Sequence, residues 1–297
     1  PPEFFSEIIV NRLGDFYFNV LSVLNSDETN TVHKSLARLA LVGCVRVIVT
    51  TNFDTCLENA MEENGVRPII FTGAATFDVE KLKNDLSSPF DSNAPACFIL
   101  KVHGSADDAS SVVDTLAQRS VGLSKEITDC LDFTLKHGRW MFLGFSGADL
   151  LGEKNYLQLR PSKDHAVGFT WLTRYTDPPL SSVQSLVEDY PEGKAQLTFG
   201  ELPDSMTPLE EIISKRMEQP ASESGSASLS FGSSSGDKQQ QQPARRRRSS
   251  FAKRASLRQV SGNLTLKERV GEWSERLLPV EALVVLVDLS LYIFFNN

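Results

Sequence analysis

The sequence is poor in cysteine, with four in 297 residues and no C-x-x-C pair among them. Each of the four stands in an apolar or helix-like stretch; they are Cys44, Cys56, Cys97 and Cys130. Isolated thiols of this kind are typical of buried, unpaired cysteines in a reducing compartment. We therefore expect neither a disulfide framework nor a zinc site or other metal site, and an intracellular location, cytoplasmic or nuclear.

The chain also lacks a recognisable signal peptide, because PPEFFSEIIV has neither a basic start nor a long apolar run. The most apolar stretch, VEALVVLVDLSLYIFF, is short for a membrane span and is interrupted by Glu281 and Asp288. We interpret it as a core or interface helix rather than as a membrane segment. Homo-oligomer formation is left open.

Charge is distributed unevenly along the chain. The net charge is -8, yet the stretch from Pro243 to Arg258 contains seven basic residues and no acidic one. The sequence thus combines an acidic body with a basic tail. The tail has no interleaved aromatic residues and no base-reading motif, so we expect no sequence-specific binding of nucleic acid, only salt-sensitive attraction.

Composition divides the chain into three parts. Residues 1–217 are globular in pattern, residues 218–263 are rich in Ser, Gln and Arg and predicted to be a disordered linker, and residues 264–297 are helical in pattern. The first part contains apolar runs without inside/outside alternation, separated by helical patterns, which indicates α/β architecture: a doubly wound, mainly parallel sheet. The predicted strands are CVRVIVT, RPIIFT, CFILKV, RWMFLGF, AVGFTWLT and AQLTF.

Helix boundaries can be predicted at several places. Asn30 is placed to cap the helix before the first of these strands, and Thr55 and Glu58 have the spacing of a capping box for the helix after it. A last helix is predicted over about Pro208 to Arg216.

Three predicted strands run directly into polar or glycine-rich stretches, namely TTNFD, KVHGS and GFSGAD. In an open α/β sheet, ligands bind outside the carboxyl ends of the strands, so these stretches should meet at one edge. The candidate site residues are Thr51, Asn52, Asp54, His103, Gly104, Gly144, Ser146 and Asp149.

Each stretch also has a purely structural interpretation. Asp54 could be a helix N-cap, Asn52 a turn residue, His103 a core histidine, and GFSGAD a turn that lets a helix pack closely. These interpretations do not explain why all three strands end in this way, and the coincidence favours a ligand site. GFSGA also approximates the nucleophile elbow of α/β-hydrolases, but only His165 follows Ser146, so a catalytic triad is poorly supported.

Taken together, VTTNFDTCLE, LKVHGS and FLGFSGADL resemble, in this order, the sirtuin-like NAD-binding domain. The likeness spans about Pro2 to Leu202 and is greatest to the branch without a zinc module, which occurs in NAD-consuming immune and defence proteins. It implies a Rossmann-like fold with NAD as substrate or ligand. It implies that Asn52 contacts the nicotinamide ribose or the attacking water and that Asp54 holds the carboxamide. His103 would be the base or the hydrogen-bond partner of the ribose hydroxyls.

The resemblance further implies that Gly144 and Ser146 lie against the adenosine half of NAD, with Thr51, Gly104 and Asp149 completing the binding site. Two departures from the family pattern matter. The interval between the second and third motifs contains only one cysteine and so no zinc module, which favours NAD hydrolysis or the sensing of NAD or ADP-ribose over protein deacylation. Nothing before Asn52 matches the family's Gly-rich loop, so we expect the domain to be N-terminally incomplete and to lack its first strand and that loop.

Three functions follow as hypotheses. The first is hydrolysis of NAD to nicotinamide and an ADP-ribose product, catalysed by His103 and Asn52. The second is a catalytically weak module for sensing NAD or ADP-ribose within a larger signalling or defence protein. The third is a phosphoregulated interaction scaffold, since Ser249, Ser250 and Ser256 stand among basic residues in a pattern favoured by basophilic kinases. A plain basic linker or a nuclear localisation patch accounts equally well for that last pattern.

Overall fold

The computed structural model describes residues 2–14, 16–17, 28–174, 178–200, 211 and 282–287. The strands, numbered in chain order, are β1 Val45–Thr50, β2 Arg67–Thr72, β3 Ala96–Lys101, β4 Gly138–Leu143, β5 Phe169–Thr173, β6 Ala195–Phe199 and β7 Ala282–Val287. The α-helices are α1 Pro2–Leu13, α2 Thr31–Leu41, α3 Cys56–Glu63, α4 Val79–Ser87, α5 Leu116–Ser120, α6 Lys125–His137, α7 Asp149–Gly152 and α8 Ser181–Asp189.

The seven strands form one sheet in the order β2-β3-β1-β7-β4-β5-β6, and every recorded pair is parallel. Strands β3 and β2 extend the sheet from one side of β1, whereas β4, β5 and β6 extend it in the other direction. This reversal is the switch point of a doubly wound sheet, at which such folds bind ligands. The predicted α/β class is therefore confirmed.

Both faces of the sheet are covered by apolar residues. Val47 and Val49 of β1 belong to one buried cluster, together with Trp140 of β4, while the intervening Ile48 belongs to a second cluster with Met141. The first cluster includes residues of α6, and the second includes residues of α2 and α3. Because successive side chains point to opposite faces, a strand buried on both sides must be apolar throughout.

Helix caps follow the sequence at α2 but not at α3. The side chain of Asn30 accepts a hydrogen bond from the backbone N–H of His33, as an N-cap should. At α3 the predicted capping box is wrong, since the side chain of Thr55 makes no capping hydrogen bond. Asp54 Oδ1 instead accepts a hydrogen bond from the Cys56 N–H at 3.0 Å. The physical reason is that the Glu58 carboxylate pairs with a buried lysine, Lys101.

The C-terminal part requires a correction. Residues 264–297 were expected to be helical, but Ala282–Val287 forms β7, which lies between β1 and β4. Its sequence, ALVVLV, is rich in β-branched valine, and a central strand has its backbone groups paired on both sides. The strand at the centre of the sheet thus comes from the far end of the chain. The predicted linker at 218–263, with its candidate phosphorylation sites, and the predicted helix near 208–216 lie outside the described residues, apart from residue 211.

A proline in the middle of β7 should destabilise the protein. Val285 pairs with Ile48 on one side and Met141 on the other, and proline at this position removes an N–H from the sheet and leaves a carbonyl without its partner. We expect Val285→Pro to lower the free energy of unfolding by about 2–3 kcal/mol, measured by chemical denaturation of the full chain. The control is Ala255→Pro in the predicted linker, and equal stability of the two variants would contradict the placement of β7.

Candidate functional site

Five strands end at the same level of the sheet. The last residue of β1, Thr50, is paired with Lys101 at the end of β3 and with Val287 at the end of β7. Val287 is in turn paired with Leu143, the last residue of β4, and Lys101 with Thr72 of β2. The three polar stretches that follow β1, β3 and β4 thus begin at one edge, as predicted.

Lys101 ties the stretch after β1 to the end of β3. Its ammonium group donates to the backbone carbonyls of Asp54 at 2.6 Å and Phe53 at 3.3 Å, and it pairs with Glu58 Oε1 at 2.7 Å. The lysine side chain is 0 % exposed, and a charge buried to this degree requires such partners. Burial raises the pKa of Glu58, while Lys101 opposes that rise. The sequence motif contains Lys101, but sequence analysis assigned it no role.

The stretch after β1 buries three of the predicted site residues: Thr51, Asn52 and Asp54. The Asn52 backbone N–H donates to Thr50 Oγ1 at 3.1 Å, which fixes the turn. Asp54 precedes the N-cap residue of α3, Thr55, so it is not itself the N-cap, but one of its carboxylate oxygens accepts the hydrogen bond from the Cys56 N–H at the start of the helix. Thr51 Oγ1 is buried and has no hydrogen-bond partner among the described residues. A buried hydroxyl without a partner is costly, and a ligand that supplied one would bind favourably.

His103 lies at the centre of the site and is only 3 % exposed. Its Nε2 shares a hydrogen bond of 2.7 Å with the Tyr156 hydroxyl, and its Nδ1 lies 3.5 Å from the Arg119 guanidinium. Burial, the largest effect, and the positive charge of Arg119 together lower the pKa of His103 to about 3, against a smaller opposing effect of the Thr51 backbone. The imidazole is therefore neutral at physiological pH in this arrangement.

Arg119 joins the second and third polar stretches. Besides facing His103, it pairs with Asp149 Oδ1 at 2.7 Å and lies 3.6 Å from Asp114 Oδ1. Asp114 accepts a further hydrogen bond from the Tyr17 hydroxyl. Of these residues, only His103 and Asp149 were predicted from the sequence. Arg119 and Asp114 stand in the long connection between β3 and α6 rather than at a strand end.

The two predicted site glycines, Gly104 and Gly144, are in different surroundings, so the reason for glycine differs between the two positions. Gly104 has φ +90, and a Cβ there would lie 2.3 Å from the backbone oxygen of Ser111, so packing of the loop alone requires glycine. Gly144 also has a left-handed φ, of 69, but it is exposed, which leaves room for a ligand beside it. Ser146 is exposed too, and its Oγ accepts a hydrogen bond from the Ala148 N–H.

No serine triad is assembled around Ser146 within the described residues. His165, the only histidine after Ser146 in the sequence, pairs through Nε2 with Asp132 of α6 at 2.7 Å. His165 is therefore paired with Asp132 in the helix that precedes β4, and not with Ser146, which follows β4. Neither the sequence nor the arrangement of the described residues around Ser146 supports a serine-triad mechanism of the α/β-hydrolase type.

Residues 46–154 match the family model described as SIR2-like domain. This part of the chain is therefore similar to the SIR2-like domain. The matched range runs from β1 through α7, so it contains all three polar stretches and links them to NAD-related function. None of the curated proteins compared with the chain matches it.

In the parts of the chain that the structure describes, no three His, Cys, Asp or Glu side chains are grouped in a way that could hold a metal ion. Over the same residues, no helix has the length and apolar character needed to cross a bilayer. The four cysteines are free thiols; three are buried and Cys44 is partly exposed.

Proposed function

We propose that the SIR2-like domain binds NAD at the carboxyl edge of its sheet and hydrolyses it to nicotinamide and an ADP-ribose product. The observation that supports this most is that Asn52, Asp54 and His103 are all buried in the stretches that directly follow two neighbouring strands, β1 and β3, beside the switch point of the sheet. The family match adds the association with NAD.

The chemistry asks little of the protein in terms of proton transfer to the leaving group. The bond between ribose C1′ and the nicotinamide nitrogen breaks, and its electron pair goes to the nicotinamide, which leaves as a neutral molecule. The transition state resembles an oxocarbenium ion, as in glycoside hydrolysis. A water oxygen then bonds to C1′, and its proton passes to a base. The protein must hold the two halves of NAD, position the water and accept that proton.

The side chains of the edge suit these tasks. In this proposal Asn52 holds the nicotinamide ribose or the water, Asp54 contacts the carboxamide, and His103 accepts the proton or binds the ribose hydroxyls. Thr51, with its buried unpartnered hydroxyl, and Gly104 line the same end of the site. Gly144 and Ser146, both exposed, would contact the adenosine half, and Asp149 would position Arg119 between the halves.

A second function, the sensing of NAD or ADP-ribose without turnover, is favoured by one observation. Both ring nitrogens of His103 face protein groups, and the low pKa of the imidazole makes it a weak base in this arrangement. A sensor needs only the binding half of the site. The two functions separate in one assay, since a sensor would bind NAD and release no nicotinamide.

Binding of NAD to the full chain is the direct test, measured by calorimetry alongside an assay of nicotinamide release. We expect saturable binding that Asp54→Ala weakens by about tenfold, because a charge-assisted hydrogen bond to the carboxamide is lost. Asp54→Asn is the matched variant, since its amide oxygen can still accept the hydrogen bond from the Cys56 N–H and so separates binding from helix stability. Saturable binding that is unchanged in Asp54→Ala would remove Asp54 from the site, and absence of binding would contradict both functions.

A further inference from the structure

Tyr156 covers Nε2 of His103, one of the two ring nitrogens that could accept a proton or bind a ribose hydroxyl in the proposed reaction. Its hydroxyl is hydrogen-bonded to His103 Nε2 at 2.7 Å, and both side chains are buried, with Tyr156 4 % exposed. The tyrosine ring also stacks against Phe145 in the third polar stretch, with 6.2 Å between the ring centroids. Arg119 faces the other imidazole nitrogen, Nδ1. Because the Tyr156 hydroxyl occupies Nε2, a ligand hydroxyl can reach Nε2 only if Tyr156 moves.

The backbone around Tyr156 is held in an unfavourable conformation. The two residues that follow, Leu157 and Gln158, have φ of 54 and 59, in the left-handed region that residues other than glycine rarely adopt. Leu157 is fully buried, and the carbonyl of Leu159 accepts a hydrogen bond from the Tyr190 hydroxyl. Packing therefore holds the segment in place, and a strained segment of this kind is typical of a functional site.

We propose that Tyr156 is a gate, and that its hydroxyl marks the position on His103 that a ribose hydroxyl takes when the ligand enters. The chemical match carries this assignment: a phenolic hydroxyl and a sugar hydroxyl offer the imidazole the same donor and acceptor atoms. Displacing Tyr156 exchanges one hydrogen bond for an equivalent one and allows the backbone at residues 157–158 to relax. The gate rests on the proposed function for the identity of the ligand, but not for the movement itself.

A different role for Tyr156 predicts the opposite result. If the tyrosine only orients the imidazole, removing its hydroxyl should leave the His103 ring less well oriented, but the solvent accessibility of His103 should not change. If the tyrosine is a gate, removing the hydroxyl should shift the segment towards the open form and make His103 accessible. The sign of the change in accessibility separates the two roles without reference to NAD.

Chemical labelling of histidines in the full chain measures that accessibility. Diethyl pyrocarbonate modifies neutral, accessible imidazoles, and mass spectrometry reports each histidine separately. We expect Tyr156→Phe to raise the labelling rate of His103 about fivefold relative to wild type, the effect of losing one hydrogen bond, and Tyr156→Ala to raise it further. His165, whose side chain is 44 % exposed, is the reference for reagent activity, and the buried His33 reports unfolding, because gate opening should leave it unlabelled.

A second pair of variants tests the strain. Gln158→Gly removes the cost of the left-handed conformation and should hold the gate closed, so His103 labelling should fall below the wild-type rate. Gln158→Ala removes the same side chain, keeps that cost, and should label like wild type. If His33 is labelled as well in Tyr156→Ala, that variant has unfolded, and the test of the gate then rests on the labelling of His103 in Tyr156→Phe.

Unchanged labelling of His103 in Tyr156→Phe would overturn the gate, whatever the protein does with NAD. Selective labelling of His103, without NAD binding or release of nicotinamide, would leave the gate in place and contradict the proposed function. Where NAD is cleaved, the gate also predicts a higher kcat/KM in Tyr156→Phe, whereas an orienting role predicts a lower one.

Discussion

His103→Ala is expected to lower the rate of NAD cleavage by about 10²–10⁴-fold, the usual contribution of a positioned acid or base. The imidazole is buried at the edge of the sheet, and it is linked to the other two polar stretches by its ring contact with Phe53 and, through Arg119, to Asp149. The measurement is nicotinamide release by the full chain at saturating NAD, with binding measured in parallel. If His103 acts on the transition state, kcat should fall much more than the affinity for NAD.

The matched control for this substitution is His165→Ala. His165 is also a histidine with an acidic partner, but that partner is Asp132 of α6, away from the strand ends. We expect wild-type turnover in this variant. Equal turnover in His103→Ala and wild type would remove His103 from the mechanism, whereas binding without turnover in wild type itself would favour the sensing function.

The same substitution has a consequence for stability that does not depend on NAD. In the unfolded chain His103 takes up a proton near pH 6.5, whereas in the folded protein its pKa is lowered to about 3. The unfolded state therefore binds more protons between these values, and the protein loses stability as the pH falls through that window, by up to about 1.4 kcal/mol per pH unit from this group. His103→Ala should flatten the profile between pH 6.5 and 4 relative to wild type.

Local sequence patterns were sufficient to predict most of the fold and the common edge of the sheet at which the three polar stretches begin. Strands such as Val45–Thr50 are apolar at nearly every position because both faces are covered, and that signal is present in the sequence. Polar residues at the ends of parallel strands must share an edge, so the placement of Asn52 and His103 at the same edge follows from the sequence pattern alone. The chemistry of single residues was less certain: one carboxylate oxygen of Asp54 accepts a hydrogen bond from the Cys56 N–H at the start of α3, whatever else this side chain does.

What the sequence could not predict depends on contacts between distant residues. Arg119 and Tyr156 reach His103 from separate connections, 16 and 53 positions away, and neither belongs to a recognisable pattern. Strand β7 follows β6 only after a long stretch of other composition, and a short apolar run such as ALVVLV fits a buried helix or a buried strand equally well. The choice of strand over helix depends on pairing with β1 and β4, which lie far away in the sequence.

Lys101→Met is expected to lower the free energy of unfolding by about 3–5 kcal/mol, because it leaves the Glu58 carboxylate buried without its partner. It also removes the ammonium donor of the Asp54 carbonyl, whereas the Phe53 carbonyl keeps its hydrogen bond from the Ala106 N–H. Denaturant unfolding of the full chain checks this value. Lys83→Met is the control: the ion pair of Lys83 with Glu80 lies on the surface of α4, where such pairs contribute little, and no resolvable change is expected.

The double variant Lys101→Met with Glu58→Met separates stability from function. Two apolar side chains of similar volume remove the unpaired charge, so most of the lost stability should return, as is common when both partners of a buried ion pair are replaced. The stretch from Asn52 to Asp54 nevertheless stays without the ammonium group that holds it against β3. NAD binding should therefore remain weak in a protein that folds normally. Wild-type affinity in the double variant would mean that packing alone positions the stretch, and that Lys101 serves only to neutralise Glu58.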